Sequence, residues 1–138
     1  MAEELLSLEI ATPVGLALQT ECESIAAPSV EGEFGVFPGH LPLLAALRAG
    51  VVKYVVGGKN LLCAVGPGFV EAGPEKVLLL TDSFALPEDV DASAVRGELA
   101  DAEERMEGHQ EEGMSHDEIE RDIEWAHARL ALVGATAE

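Results

Sequence analysis

The feature that most constrains this chain is a change of pattern at Pro87. Before it, short apolar runs are cut by Gly and Pro; after it, apolar residues recur at helical spacing. Leu6, Leu8 and Ile10 alternate with Ser7 and Glu9, the period-two signature of a half-buried strand. Pro13 ends that run and Val14 to Leu18 begins another. Ile25–Pro28, Val51–Val56, Leu61–Val65, Phe69–Ala72 and Val77–Thr81 continue the series, several of them Val-rich and bounded by Gly57-Gly58, Gly66-Pro67-Gly68 and Gly73-Pro74. Turn signals about every 8–12 residues predict an N-terminal flattened β-sandwich or barrel over residues 1–87.

Residues 88–138 predict a second unit, an antiparallel two-helix hairpin. Val95, Leu99, Ala102 and Met106 share one helix face, opposite Glu98, Asp101, Glu104 and Arg105. Gly108 to Gly113 breaks the pattern. Ser115 and Glu118 have capping-box spacing, and Ile119, Ile123, Ala126, Leu130 and Val133 form a second stripe that Gly134 ends. A narrow stripe on each helix buries little, so the hairpin must lean on the β unit or on a partner, and mobility is expected of it.

The 138 residues carry a net charge of −18. A surface this acidic repels phosphate backbones and anionic lipid headgroups, which argues against nucleic-acid binding and polybasic membrane anchoring. No run approaches the roughly 18 apolar residues of a membrane span, so direct insertion is not expected. The start, Met1-Ala2-Glu3-Glu4, has neither the basic region of a secretory signal nor the bias of a transit peptide. Cys22 and Cys63, far apart in apolar stretches, read as reduced, buried small side chains.

Motifs for chemistry fail one by one. Gly32 to His40 is glycine-rich but lacks the Gly-Lys-Ser/Thr ending of a phosphate loop, and Gly58-Lys59-Asn60 lacks the upstream glycine. Glu124 and His127 have the spacing of a di-iron helix but no second copy. The four histidines show no zinc spacing. His40 with Glu33 could serve as an acid–base pair, yet no nucleophile motif accompanies it. The residues alone lead to an interaction or regulatory module, with no catalytic residue, metal or cofactor expected.

The block Glu31-Gly32-Glu33-Phe34-Gly35-Val36-Phe37-Pro38-Gly39-His40-Leu41-Pro42-Leu43-Leu44 strongly resembles the signature of ATP synthase epsilon subunits, E-G-E-x-G-[IV]-x-P-G-H-x-P-[LF]-[LV]. The similarity continues through Gly68-Phe69-Val70-Glu71, where Pro67 replaces a glycine, and through Val77 to Asp82. Asp91 falls where the second domain of such subunits begins. The resemblance spans essentially the whole chain.

It implies a non-catalytic rotor subunit of an F-type ATP synthase, peripheral on the cytoplasmic side of a bacterial plasma membrane. The β unit would pack on the gamma subunit and sit on the ring of c subunits, coupling ring rotation to ATP synthesis. Glu31, Gly32, Glu33, Gly35 and His40 would be contact residues, in a loop from Glu31 to His40. In this family the hairpin either folds down or extends to the beta subunits and inhibits hydrolysis, partly through basic side chains. Residues 88–138 hold sixteen Asp/Glu against four arginines, Arg96, Arg105, Arg121 and Arg129. Charge attraction to an acidic loop is therefore weakened here, although steric inhibition remains open.

Some family members bind ATP through [IL]-D-x-x-R-A. Here Val90-Asp91-Ala92-Ser93-Ala94-Val95 keeps Asp91 but has Ala94 for the arginine. Arg96 lies about 200° further round a helix and cannot substitute. An ATP-sensing module is thus the second reading, a β-barrel enzyme built on His40 the third.

Overall fold

A computed structural model describes residues 4–108 and 116–134. The order is β1 (Leu6–Thr12), β2 (Gly15–Cys22), β3 (Ser24–Ser29), β4 (Gly32–Val36), β5 (Leu43–Leu47), β6 (Gly50–Val56), β7 (Lys59–Val65), β8 (Gly68–Ala72), β9 (Lys76–Thr81) and β10 (Phe84–Ala85). A 3-10 turn at Pro87–Asp89 then leads to α1 (Ala92–Glu107) and α2 (His116–Leu132).

The strands form one continuous ladder, β10-β7-β6-β3-β5-β8-β9-β1-β2, with β4 on the flank of β3. All pairs are antiparallel except β1 with β9. The β2–β3 corner brings β2 back against β6. The Glu23 N–H donates to the Val55 carbonyl at 2.7 Å, and the Gly58 N–H donates to the Glu23 carboxylate at 2.9 Å. Alternation then decides what is inside: Leu6, Leu8 and Ile10 of β1, Val52 and Tyr54 of β6, and Val77 and Leu79 of β9 meet in a single core. Pro28 marks a change of partner within β3. Ser24 to Ala26 pair with β6, whereas Ser29 pairs with β5, so the missing Pro28 N–H falls where the ladder switches strands.

The expected β-sandwich and two-helix architecture is present, with three strands that the apolar runs did not announce: β4, β5 and β10. Gly32–Val36 is strand, paired residue by residue from Ser29↔Gly32 to Ile25↔Val36. The expected single loop from Glu31 to His40 is therefore corrected to a tight turn, a strand and a second loop. The pairing of β3 overrides the weak strand preference of two glycines in five residues.

Asp91 caps α1. Its carboxylate accepts from the backbone N–H groups of Ser93 at 3.0 Å and Ala94 at 3.3 Å. Val95, Leu99 and Ala102 are buried on the predicted face of α1, and Val95 and Leu99 pack with Ala126, Leu130 and Ile123 of α2. The predicted cap at Ser115 and most of the predicted break at 108–113 lie outside the described residues.

One expectation about α2 needs correction. It carries two buried faces, not one narrow stripe. Ala126 and Leu130 meet α1, while Ala128 and Leu132, with Trp125 and Val133 beside them, pack against Ala49, Val51, Leu62, Ala64 and Ala85 of the sandwich. The hairpin does lean on the β unit, across the outward side of β6 and β7.

Candidate functional site

Three segments gather around the exposed side chain of Leu44. The first is the β3–β4 turn. The Ser29 hydroxyl donates to the Gly32 carbonyl at 2.6 Å and accepts from the Glu31 N–H at 3.1 Å, closing the turn from inside. Gly32 has φ +117°, a backbone region that side chains rarely adopt, so its identity follows from the turn. The second segment is the loop from Phe37 to Pro42. The His40 N–H donates to the Phe37 carbonyl at 3.1 Å, and the Gly39 N–H donates to the Pro74 carbonyl at 2.8 Å. The third is the β8–β9 turn that contains Pro74.

Two shallow grooves share Leu43 and Leu44. One, of about 540 Å³, runs between the β3–β4 turn and β5, with Val30, Glu31, Glu33 and Phe34 on its wall. The other, of about 660 Å³, is bounded by Pro42, Glu71, Pro74, Glu75 and Lys76. Val30, Leu41 and Leu44 are 64%, 79% and 73% exposed, so an apolar rim is interleaved with carboxylates. Of the residues singled out in the sequence, Glu31, Gly32 and Glu33 line the first groove. Gly35 lies further along β4, where an added β-carbon would meet only ordinary contacts, so nothing local demands glycine there. His40 lies in the second segment, half-buried, its ring Nδ1 against the Leu41 carbonyl. Among the described residues no hydrogen bond or ion pair joins His40 to Glu33. The geometry is an open, shallow surface of apolar and acidic side chains. No group of three His, Cys, Asp or Glu among the described residues is placed to hold a metal ion.

A second surface escapes the sequence motifs. The pairing register sets Ala46 beside Phe69, Phe69 beside Leu80, Leu80 beside Ala11 and Ala11 beside Leu16. These five side chains form one row across β5, β8, β9, β1 and β2, on the face opposite the core. Phe69, Leu80 and Leu16 are 58%, 50% and 56% exposed. The next row on that face is mixed: Leu44, Glu71, Leu78, Glu9 and Gln19, with Glu9 held by Lys76 at 3.3 Å and by Gln19 at 3.2 Å. A contiguous apolar stripe bordered by charge marks an interaction surface. One signal could have found it. Val77-Leu78-Leu79-Leu80 is apolar at every position, as a strand covered on both faces reads.

At the head of the hairpin, Asp91 has its carboxylate engaged by the first-turn amides, and the neighbouring Ala94 side chain is exposed.

Residues 5–87 match the family model described as ATP synthase, Delta/Epsilon chain, beta-sandwich domain. The ATP synthase epsilon chain of Magnetococcus marinus is 34% identical over 128 residues, 93% of either chain. That of Halalkalibacterium halodurans is 33% identical over 94% of this chain and 97% of its own. That of Moorella thermoacetica is 37% identical over 94% of this chain and 97% of its own. In solved structures, a chain of the Euglena gracilis mitochondrial ATP synthase, in its OSCP/F1/c-ring assembly, superposes with a TM-score of 0.78. It shares 21% identity and covers 92% of this chain and 80% of its own. At that identity the likeness concerns the fold, sandwich and helices together. With sequence relatives matched almost end to end, a signature block set around an exposed rim, and a sandwich followed by two helices, the chain belongs to the ATP synthase epsilon chain family.

Proposed function

We propose that this protein is a non-catalytic rotor-stalk subunit of an F-type ATP synthase, working at the cytoplasmic face of a bacterial plasma membrane. In this reading residues 1–87 couple the rotation of the c-subunit ring to ATP synthesis, and residues 88–138 form a separate helical unit in which the family's charge-driven inhibition of hydrolysis is weakened. The observation that carries the reading is the apolar row Ala46–Phe69–Leu80–Ala11–Leu16, which gives the sandwich a broad second face to bury against the gamma subunit. The rim holding Glu31, Gly32 and Glu33, with Gly35 and His40 on the adjoining strand and loop, meets the c-ring. The hairpin reaches the beta subunits only when it leaves the sandwich. No helix among the described residues is long and apolar enough to cross a membrane.

The charge of the hairpin bears on regulation. Two of its four arginines face inward: Arg129 pairs with Glu98 at 2.9 Å and Arg105 with Asp122 at 3.3 Å. The folded hairpin thus presents carboxylates far more than cations, and attraction to an acidic loop is weak. The second reading, an ATP sensor, has Asp91 in its favour and Ala94 against it. Without the motif arginine a phosphate lacks its bidentate donor.

The deciding experiment measures ATP hydrolysis by the catalytic head alone, with the full chain, and with a chain ending at Pro87. Both forms are expected to bind the head–gamma complex and to leave hydrolysis nearly alike. Inhibition by the full chain alone would make the hairpin a working brake despite its charge. Failure of either form to bind would overturn the assignment of the sandwich as the coupling unit.

A further inference from the structure

β5 is paired fully on one side and barely on the other. Towards β8, each residue from Leu43 to Leu47 has a partner. Towards β3, the Val30 N–H donates to the Ala46 carbonyl at 3.1 Å and the Arg48 N–H donates to the Pro28 carbonyl at 3.3 Å, with Ser29 opposite Leu47 between them. Backbone groups alternate sides along an antiparallel strand, so these two bonds fix the direction of the rest. The N–H and C=O of Leu44 point away from β8, and those of Leu43 and Ala45 point towards it. Among the described residues no strand lies against Leu44 on its open side. The chain leaves β5 here for a local reason. The Ser29 hydroxyl ties the Glu31 N–H and the Gly32 carbonyl into a turn that sends β4 back along β3. The space left between that turn and β5 is the groove of about 540 Å³.

An outer edge such as that of β2 is blunted against pairing. An extra residue, Ala17, bulges opposite Ile10 and Ala11, and Gln19 and Glu21 stand exposed beside it. β5 has none of these devices. Leu43 to Leu47 holds no charge and no proline, and its register with β8 is unbroken. The groove wall facing this bare edge carries two carboxylates, Glu31 and Glu33, and among the described residues neither is ion-paired. An open backbone edge calls for an extended segment, and the carboxylates call for a basic one. A second copy of this chain, at −18, would set carboxylate against carboxylate. Ala46 lines the groove and also begins the apolar row assigned above to gamma, so a strand laid here continues that row past β5.

We propose that the open edge of β5 takes an extended segment of the gamma subunit, bearing arginine or lysine, as an added strand. The segment bonds to the N–H and C=O of Leu44 and is held against Glu31 and Glu33. The inference rests on the rotor-stalk reading and adds how the sandwich is keyed to its partner: main-chain bonds set the register, and the two carboxylates select the charge.

Amide-resolved hydrogen exchange of the full chain, alone and bound to the head–gamma complex, tests it. The Leu44 amide is expected to exchange freely alone and to slow by about a hundredfold or more when bound. The Ala45 and Leu47 amides, turned towards β8, are expected to be protected in both states. Leu44→Pro removes the outward N–H and leaves the β5–β8 ladder whole. It is expected to weaken binding about fivefold beyond Leu44→Ala, the size of one lost hydrogen bond. Glu31→Gln together with Glu33→Gln is expected to weaken binding and flatten its dependence on salt. Protection of the β8 amides confirms in each variant that the sandwich stays folded. A Leu44 amide that stays fast in the bound chain refutes the added strand and leaves the rotor assignment standing, as does Leu44→Pro binding no worse than Leu44→Ala. A full chain that does not bind the head–gamma complex overturns both.

Discussion

Gly68 on β8 lies directly against the carbonyl oxygen of Leu80 on β9, with no space between them for a β-carbon. The approach is fixed by the register, which places Phe69 opposite Leu80 and Gly68 opposite Thr81. The buried Thr81 hydroxyl, 2.9 Å from the Gly66 carbonyl, holds the incoming turn in place, so the strand cannot slide away from a larger residue. Gly68→Ala must push backbone against backbone. It is expected to destabilise the sandwich by about 2–3 kcal/mol, at the upper end of overpacking effects. Chemical denaturation will show a lower midpoint with an unchanged slope.

The cap of α1 supports a second prediction. Asp91→Ala leaves the Ser93 and Ala94 amides without an acceptor and is expected to cost about 1 kcal/mol, whereas Asp91→Asn keeps an oxygen there and costs a few tenths. The loss is local, so hydrogen exchange should rise first in residues 92–95 and not in β1. Titration calorimetry of the unaltered chain with ATP is expected to show no saturable binding in the micromolar range. The one retained motif residue is occupied as a cap, and the guanidinium of the family motif is replaced by Ala94. A micromolar dissociation constant would overturn this.

What the sequence made legible follows from which residues carry periodicity. β1, β6 and β9 announce themselves because Leu, Ile and Val alternate there or run together. β5, Leu-Leu-Ala-Ala-Leu, has no β-branched residue and is strand only because β8 pairs with it along its whole length. The second buried face of α2 rests on Ala128 and Leu132, and an alanine gives no amphipathic signal. The signature block stands out as a block, but its division into turn, strand and loop depends on β3. The apolar row could not be read as a motif, since each of its five members comes from a different strand and only the register brings them together.

The two cysteines give a pH-dependence with a definite sign. Cys22 and Cys63 are fully enclosed in the sandwich core. Burial pushes their thiols up from 9.0, to about 11 for Cys22, where Glu23 adds to the effect, and to about 12 for Cys63. A raised thiol pKa means the folded chain keeps protons that the unfolded chain releases. Their contribution to stability is therefore complete below about pH 9 and is lost as pH rises from there through about 11 to 12. Thermal unfolding should show a melting temperature that falls with pH across that window, and a Cys22→Ala, Cys63→Ala double variant should flatten the fall. At pH 8 both thiols should resist a thiol reagent until denaturant is added.

The apolar row makes the sharpest separation between stability and function. Phe69 and Leu80 point away from the core, and more than half of the Phe69 surface is open in the isolated chain. Phe69→Asp removes no core contact, and surface changes of this kind usually shift stability within about 0.5 kcal/mol. At a buried interface the same change removes a large aromatic contact and strands a carboxylate, effects that together weaken binding by about two orders of magnitude or more. Leu16→Asp, at the far end of the row on β2, should weaken it less. Both variants should melt close to the unaltered chain, while pull-down with gamma shows a graded loss, Phe69→Asp greater than Leu16→Asp. Equal binding by all three forms would mean that gamma does not rest on this face. In that case the sandwich would have to be held by the acidic rim alone, and Glu31→Lys or Glu33→Lys would become the variants that break the complex.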